Sequence, residues 1–167
     1  MKNKLTFEPL NEKYIDDLCY LWKDQDVIRF TNIKEPCSLK ESKKRIQRFL
    51  ENEKGMKIPL YNVVLKNHAV CGLVGCPVIN RENQEFGLFY QICKAEWGKG
   101  IGRDCASWMI EQLKANYKNA TIYADVVEDN KASIRILENL GFEYKGIEKD
   151  SFERDNQKYH VKSFLLL

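Results

Sequence analysis

The segment EWGKGIGRD contains three glycines within five positions, and cations lie between and after them. Gly98, Gly100 and Gly102 lack the Cβ atoms that would hold another molecule away from the backbone. A helix is predicted to follow, and the first N–H groups of a helix have no partner inside it and lie at its positive end. These residues at this spacing therefore predict a site that binds phosphate groups.

The spacing excludes two common kinds of phosphate loop. A nucleoside-triphosphate loop needs a serine or threonine directly after its lysine, whereas Gly100 follows Lys99 here. A dinucleotide-binding loop needs the order G-x-G-x-x-G, whereas this segment reads G-x-G-x-G. The glycines thus indicate either another class of phosphate site or a tight turn between a strand and a helix.

The spacing of apolar residues predicts the elements that position the glycines. The predicted strands cover residues 5–10, 60–66, 69–79, 84–93, 120–127, 142–149 and 159–167. The predicted helices cover residues 11–23, 38–52, 100–117 and 130–141, the second of them opening with a capping box at Ser38 and Glu41. The second to fourth strands predict an antiparallel meander, and the fold class is α+β. The glycines lie where the fourth strand gives way to the third helix.

Length and composition limit the possible functions. The chain has 167 residues, 44% hydrophobic and 31% charged, which suits a single domain over residues 1–167. A formal net charge of +3 is too small to indicate a nucleic-acid-binding face. No apolar run approaches the roughly 20 residues of a membrane span, and the first residues do not resemble a signal peptide. We expect a cytoplasmic protein, monomeric or homodimeric, that handles an anionic ligand.

The six cysteines are expected to be reduced, and most of them buried, because the chain shows no secretion signal. No C-x-x-C pair occurs, and the two histidines, His68 and His160, have no ligand-like spacing. The sequence therefore predicts no metal site.

The glycine segment resembles motif A of the GNAT superfamily of acetyl-CoA-dependent N-acetyltransferases, [Q/R]-x-x-G-x-[G/A]. Gly100 and Gly102 occupy the fourth and sixth places, and Trp97 stands in the first, where the motif has Gln or Arg. The form WGKGIG is similar to that of the RimJ/RimL-like branch, which includes ribosomal-protein acetyltransferases. A second segment, NKASIRILENLGF from Asn130, resembles the family pattern N-x-x-S followed by G-F after the fifth strand. With the element order, these motifs identify the chain as a member of the superfamily.

The resemblance implies a GNAT fold, with a mixed, mostly antiparallel sheet of about seven strands flanked by helices and splayed between strands 4 and 5. It implies acetyl-CoA as cosubstrate and no metal. Backbone amides would bind the pyrophosphate, the fourth strand would pair with the pantetheine arm, and an asparagine would contact the cofactor side. The implied cofactor-binding residues are Tyr90, Gln91, Ile92, Gly98, Lys99, Gly100, Ile101, Gly102, Arg103 and Asn130.

The implied reaction is direct attack of a primary amine on acetyl-CoA in a ternary complex. This reaction needs a proton acceptor for the amine and an acid for the leaving thiolate, but no covalent enzyme intermediate. Many members carry a tyrosine as the acid where this chain has Leu137, so Ser133 is the nearest substitute. Asp125 on the fifth strand and Glu85 on the fourth are the candidate bases, and a water chain is the alternative to both.

The acceptor and the runner-up function stay open at this stage. A protein N-terminus, an aminoglycoside, a polyamine or another small amine all suit the reaction, and the basic run KESKKR from Lys40 is interpreted as a solvated helix face. Because Leu137 replaces the usual tyrosine, a GNAT-fold module that binds coenzyme A with little catalysis is the alternative. An RNA-associated role would need a more basic chain.

Overall fold

The computed structural model describes residues 3–167 and contains nine strands and five α-helices. The strands are β1 (Leu5–Pro9), β2 (Tyr61–Lys66), β3 (Ala69–Gly75), β4 (Val78–Asn80), β5 (Glu85–Gly87), β6 (Phe89–Ile92), β7 (Thr121–Val127), β8 (Glu143–Arg154) and β9 (Gln157–Leu166). The helices are α1 (Ile15–Lys23), α2 (Gln25–Ile28), α3 (Leu39–Glu53), α4 (Ile101–Asn116) and α5 (Lys131–Asn139). Short 3₁₀ turns precede α1 and α4.

The strands form two sheets. The first has the order β1-β2-β3-β6 and is antiparallel throughout. The second has the order β4-β5-β7-β9-β8, in which β5 and β7 are the only neighbouring strands that run parallel. This mixed, mostly antiparallel arrangement flanked by helices confirms the predicted α+β fold.

The two sheets separate at Leu88. The segment from Glu85 to Gly87 pairs with β7, and one residue later the chain changes partner, so that β6 pairs with β3. Since β6 is the terminal strand of the first sheet, its outer edge diverges from the second half of β7. We call this opening the fork, and it is the splay predicted between the fourth and fifth strands.

Helices α4 and α5 lie on the same face of the sheets. The chain passes from β5 through β6 and α4 to β7, and α5 joins β7 to β8. Strands β5 and β7 run parallel, and β7 and β8 have the same direction because both are antiparallel to β9. Right-handed crossovers in one direction put both helices on one side. The first turn of α4 lies against α5, since a Cβ atom at Gly102 would lie 3.4 Å from Ile136.

Helices α1 and α3 pack on the opposite face. Trp22 of α1 meets Phe49 of α3 edge to face, with 6.3 Å between ring centroids. Phe49 also stacks on Tyr61 of β2 at 4.5 Å and lies 5.6 Å from Phe89 of β6. Because successive side chains of a strand point to opposite faces, Phe89 faces α3 while Tyr90 faces α4.

The β8–β9 hairpin reaches over the loop that follows α2. Its turn residues Asp155 and Asn156 have positive φ angles of 52° and 61°, as a two-residue type I′ turn requires. Nη2 of Arg154 donates hydrogen bonds to the carbonyl oxygens of Thr31 and Ile33, both at 2.9 Å. The hairpin and this loop therefore form a wall on the α1–α3 face.

Two of the predicted strands are interrupted, and a short helix was not predicted. The strand expected over residues 69–79 ends at Gly75 and resumes in the other sheet, because Pro77 has no N–H to continue the ladder. The strand expected over 84–93 breaks at the fork. Helix α2 is a single turn whose N–H groups are capped by the Asp24 side chain. The other predicted elements are confirmed to within a few residues, apart from the first part of the opening helix, which is a 3₁₀ turn, and β8, which continues to Arg154.

Within residues 3–167, the structure contains no helix of the length and apolarity that a membrane crossing requires.

Candidate active site

The glycine loop leaves the beginning of α4 open. Gly98 and Gly100 have φ angles of 76° and 81°, in the left-handed region that favours glycine. Gly100 is the N-cap of α4 and offers no side chain to the first N–H groups of the helix. A Cβ atom at Gly98 would meet no described atom within 4 Å, and one at Gly100 would meet only Asn3 at 3.7 Å. The unpaired N–H groups and the open space suit phosphate oxygens.

Side chains outside the predicted motif hold this loop in place. The Nδ2 of Asn3 donates to the carbonyl oxygen of Lys99 at 2.8 Å and to Asp104 Oδ2 at 2.9 Å. Glu96 Oε2 accepts from Lys66 Nζ at 2.8 Å and from Lys99 Nζ at 3.0 Å, and these bonds, led by that from Lys66, lower the pKa of Glu96. The charge of Lys99, predicted to face phosphate, is thus shared with Glu96.

The exposed Arg103 forms no ion pair with any carboxylate in the described part of the chain, so its charge stays available beside the loop.

The outer edge of β6 runs from the fork toward the loop. Cys93 N donates to the carbonyl oxygen of Cys71 on β3 at 2.8 Å. Since alternate residues of an antiparallel strand bond to the same neighbour, Gln91 also turns its backbone to β3, and Tyr90 and Ile92 turn theirs to the open edge. Of the three residues expected to pair with a pantetheine arm, only Tyr90 and Ile92 are therefore oriented to do so.

Two indole rings fix the surroundings of this edge. Nε1 of Trp97 donates to the carbonyl oxygen of Ile92 at 2.8 Å, which leaves the N–H of Ile92 and both backbone groups of Tyr90 at the edge. Nε1 of Trp22 donates to Oε1 of the buried Gln91 at 2.7 Å. Gln91 thus contributes a side chain that ties β6 to α1.

A pair of hydroxyl groups lies on the α4–α5 face of the fork. The Tyr90 hydroxyl is 2.8 Å from Ser133 Oγ, and the Ser133 N–H donates to Asn130 Oδ1 at 3.3 Å. Asn130 is the N-cap of α5, as predicted, and this bond holds Ser133 in the first turn of the helix. A Cβ atom at Gly102 would lie 3.4 Å from the Tyr90 ring, so the ring lies between the first turns of α4 and α5.

Carboxylates lie on the other face of the fork. Phe86 of β5 packs against Tyr117 at the end of α4, with 5.2 Å between ring centroids, so Glu85 points to the α1–α3 face. Glu85 Oε1 is 3.4 Å from the Tyr123 hydroxyl, and Asp125 Oδ1 accepts from Ser163 Oγ at 2.9 Å. The structure therefore brings both predicted bases to one face and Ser133 to the other.

Residues 4–143 match the family described as the acetyltransferase (GNAT) domain. The chain belongs to the GNAT acetyltransferase family. It is an N-acetyltransferase of the acetyl-CoA-dependent kind, and the predicted family and enzyme class are confirmed.

Individual relatives extend over nearly the whole acetyltransferase. The uncharacterized N-acetyltransferase p20 of Bacillus licheniformis is 24% identical over 165 residues, 98% of this chain and 93% of that protein. The structure of RimL, a ribosomal L7/L12 alpha-N-protein acetyltransferase in complex with coenzyme A, gives a TM-score of 0.85 at 15% identity, covering 98% and 93% of the two chains. Spermidine N-acetyltransferase from Vibrio cholerae, in complex with CoA and spermine, gives 0.82 at 19% identity, covering 97% and 94%. At these identities the two structures show a shared fold.

This acetyltransferase lacks the tyrosine that many members carry in α5, and the structure offers another hydroxyl. Leu137 is 1% exposed and belongs to the core. The phenol of Tyr90 instead reaches Ser133 from β6. Burial raises the pKa of Tyr90 to about 12, while the bond with Ser133 acts in the opposite direction. The sequence analysis assigned Tyr90 only a place in the cofactor-binding strand, because nothing in the spacing of residues 90 and 133 shows that they meet.

The cysteines of the acetyltransferase are free thiols, five of them buried. Burial raises the pKa of Cys105 and of Cys93, the two nearest the motif, which opposes formation of a thiolate nucleophile. Among residues 3–167, no three metal-ligating side chains come close enough together to hold a metal ion.

Proposed function

We propose that this acetyltransferase moves the acetyl group of acetyl-CoA to a primary amine by direct attack in a ternary complex. The observation that carries the proposal is the fork, which has a hydroxyl pair on one face and carboxylates on the other. A donor lying along the open edge of β6 would meet an acceptor arriving from the α1–α3 face. No covalent enzyme intermediate is needed, because the amine attacks the thioester carbonyl directly.

The donor is held by backbone more than by side chains. The residues proposed to bind it are Tyr90 and Ile92 along the edge, Gly98, Lys99, Gly100, Ile101, Gly102 and Arg103 at the pyrophosphate, and Asn130 on the cofactor side. The N–H groups at the start of α4 supply positive partial charge, and Arg103 adds a full charge. When bound, acetyl-CoA supplies an activated thioester carbonyl.

Asp125 is the proposed general base. The pairing of β5 with β7 ends at Tyr123, and Asp125 lies two residues further along β7, beside the opening. The bond from Ser163 leaves a second carboxylate oxygen to take the proton of an incoming amine. Glu85 lies within the paired segment and is tied to Tyr123, so we assign it a positioning role for that phenol.

Ser133 is the proposed acid or hydrogen-bond donor for the leaving thiolate, positioned by Tyr90. If Tyr90 donates to Ser133 Oγ, the serine hydroxyl hydrogen is free to point toward the sulfur. A phenol whose pKa is raised to about 12 remains protonated at neutral pH and keeps this donor role. Charge that develops on sulfur is then stabilised through two consecutive hydrogen bonds.

Release of thiol from acetyl-CoA over a panel of amines tests this proposal. RimL is described as acting on a ribosomal protein N-terminus and its Vibrio neighbour on spermidine, so the panel holds N-terminal peptides, polyamines and aminoglycosides. Turnover on one class, with an acetyl group found on the amine by mass spectrometry, is the expected result. Calorimetric binding of acetyl-CoA without turnover on any amine would favour the coenzyme A-binding module instead.

A further inference from the structure

A groove lined by cations lies between the loop after α2 and helix α3. Its volume is about 450 Å³. Lys34 comes from the loop, and Lys44, Arg45 and Arg48 come from consecutive turns of α3. We call it the basic groove. The run KESKKR, interpreted from sequence as a solvated helix face, thus contributes two of the groove's cations.

The charges of the basic groove are not neutralised by the protein. None of the ion pairs formed within residues 3–167 includes any of its four cations. Glu35 and Glu41 also line the groove, which leaves an excess of two positive charges over these six residues. One oxygen of Glu41 is already bound by the Ser38 N–H at 3.1 Å in the capping box. The groove is therefore complementary to an anion.

The side chain of Arg45 is held in a position where it could bind such an anion. Its guanidinium carbon lies 5.5 Å from the Trp22 ring centroid and 5.8 Å from that of Phe49, and Nη2 donates to Asn32 Oδ1 at 2.9 Å. The Nε–H group is buried and finds no acceptor in the described part of the chain. Burial lowers the pKa of Arg45, and the neighbouring Arg48 adds to this. A carboxylate in the groove would compensate a half-buried charge that has no partner.

The basic groove lies on the same side of the sheets as the carboxylates of the fork, because α3 packs on the α1–α3 face. Trp22, on which Arg45 lies, donates to Gln91 of β6, and Phe49 lies 5.6 Å from Phe89 of the same strand. The side chains of Phe89 and Gln91 lie on the α1–α3 face, the face that carries Asp125. An acceptor whose amine lies at the fork would therefore extend across this face toward the groove.

We propose that the acceptor is an acidic peptide, with its amino terminus at the fork and carboxylates of its next few residues in the basic groove. This proposal rests on the acetyl transfer proposed above and names its substrate class. Four cations around one groove match several carboxylates better than one. A polyamine would bring positive charge to a positive surface and is disfavoured at this site.

The test compares N-terminal peptides that differ only in charge. One carries aspartate and glutamate at positions two to four, the second carries the corresponding amides, and the third carries lysines. Wild-type protein is expected to acetylate the acidic peptide with at least about tenfold higher kcat/KM than the amide peptide at low salt, and the preference should shrink at 0.5 M salt, where screening is strong. Free glutamate serves as a small-molecule arm, and acetylation of it as fast as of the acidic peptide would contradict a peptide acceptor.

The variants locate the preference. The double variant Lys44→Gln and Arg48→Gln should reduce the acidic preference to less than about twofold. The matched control, Lys40→Gln and Lys43→Gln, removes the same charge from exposed positions of α3 that do not line the groove, and should keep the preference. Arg45→Gln is a third variant, read only if its thermal unfolding resembles that of wild type. Equal rates with acidic and amide peptides, or a preference that survives in the groove variant, would overturn the proposal.

Binding is measured separately from turnover, so that the two proposals can fail independently. Anisotropy of a fluorescent acidic peptide, with coenzyme A present, reports groove binding without chemistry. Peptide binding that the groove variant loses, together with no thiol release on any amine, would support the groove and contradict the acetyl transfer. Thiol release with no charge preference would support acetyl transfer and contradict the groove.

Discussion

The two faces of the fork are built in different ways. On the α4–α5 face, the edge of β6 and the start of α4 present backbone N–H groups, and the glycines keep the space in front of them open. On the α1–α3 face, the groups proposed to act on the acceptor are side chains from separate elements, with Glu85 on β5, Asp125 on β7 and Arg45 on α3. Acetyl-CoA has a constant structure and can be bound by backbone groups. The choice of acceptor depends on side chains, which substitutions can change.

The first prediction introduces a charge into the backbone site. Gly102→Glu should weaken acetyl-CoA binding by more than about 1,000-fold, because a carboxylate beside phosphate oxygens costs several kcal/mol. Gly102→Gln has the same shape without the charge, so it shares any crowding against Tyr90 and Ile136 and should bind acetyl-CoA much more tightly than Gly102→Glu. Calorimetry measures both, and equal affinities for the two variants would show that no phosphate lies at α4.

The second prediction removes one side chain from the opposite face. Asp125→Asn should lower kcat by about 100- to 1,000-fold, as expected when a general base is lost, with little change in acetyl-CoA affinity. Thiol-release kinetics at saturating donor provide the measurement. A loss in kcat of less than about threefold would indicate that a water chain, and not Asp125, deprotonates the amine. The carboxylates of this face would then contribute to binding alone.

The third prediction concerns the hydroxyl pair, Tyr90 and Ser133. These two side chains lie on the α4–α5 face, where the other proposed binding groups belong to the backbone. Ser133→Ala should lower kcat by about 100-fold and Tyr90→Phe by about tenfold, with the Michaelis constant for acetyl-CoA nearly unchanged. If Tyr90 acts through Ser133, Tyr90→Phe should add little to Ser133→Ala. Additive losses in this double-mutant cycle would contradict the positioning role.

The pH dependence sharpens the same prediction. The raised pKa of Tyr90, about 12, means that the phenol is protonated from pH 6 to 10 in the folded protein and loses its proton only above that range. Tyr90→Phe should therefore lower kcat by one factor across this range. The loss in the variant of a limb that the wild-type pH profile contains would show that Tyr90 titrates during turnover.

The smallest effect is expected at Glu85. Glu85→Gln keeps an oxygen that can accept from the Tyr123 hydroxyl, so kcat should fall by no more than about threefold if Glu85 only positions that phenol. The same thiol-release assay compares it directly with Asp125→Asn. A larger loss of kcat for Glu85→Gln than for Asp125→Asn would indicate that Glu85 is the general base and that Asp125 has the positioning role.

Much of the fold and of the donor site could be predicted from the sequence. The glycines, Lys99 and Arg103 lie within one short segment. The helix that begins there is predicted by the spacing of its own apolar residues. The cap at Asn130 and the capping box at Ser38 were predictable for the same reason, because each bond joins residues three apart. Local signals of this kind can be recognised in the sequence without knowledge of the tertiary fold.

Other features depended on residues that are far apart in the chain. The bonds from Tyr90 to Ser133 and from Trp22 to Gln91 join residues separated by 43 and 69 positions. The break at the fork was not visible in the residues 84–93, because a strand that changes partner keeps its alternation. The unpartnered charge of Arg45 follows from burial against Trp22 and Phe49, which the sequence of α3 alone does not reveal.

By itself, the sequence determined the family, the donor and the segment proposed to bind its phosphates, because these rest on backbone geometry encoded by neighbouring residues. Only the tertiary structure decided which carboxylates share a face, which hydroxyl contacts Ser133, and where positive charge without an ion-pair partner lies on the α1–α3 face. The physical reason is that backbone sites need glycines and a helix start in one segment. A side-chain site needs distances that only folding sets.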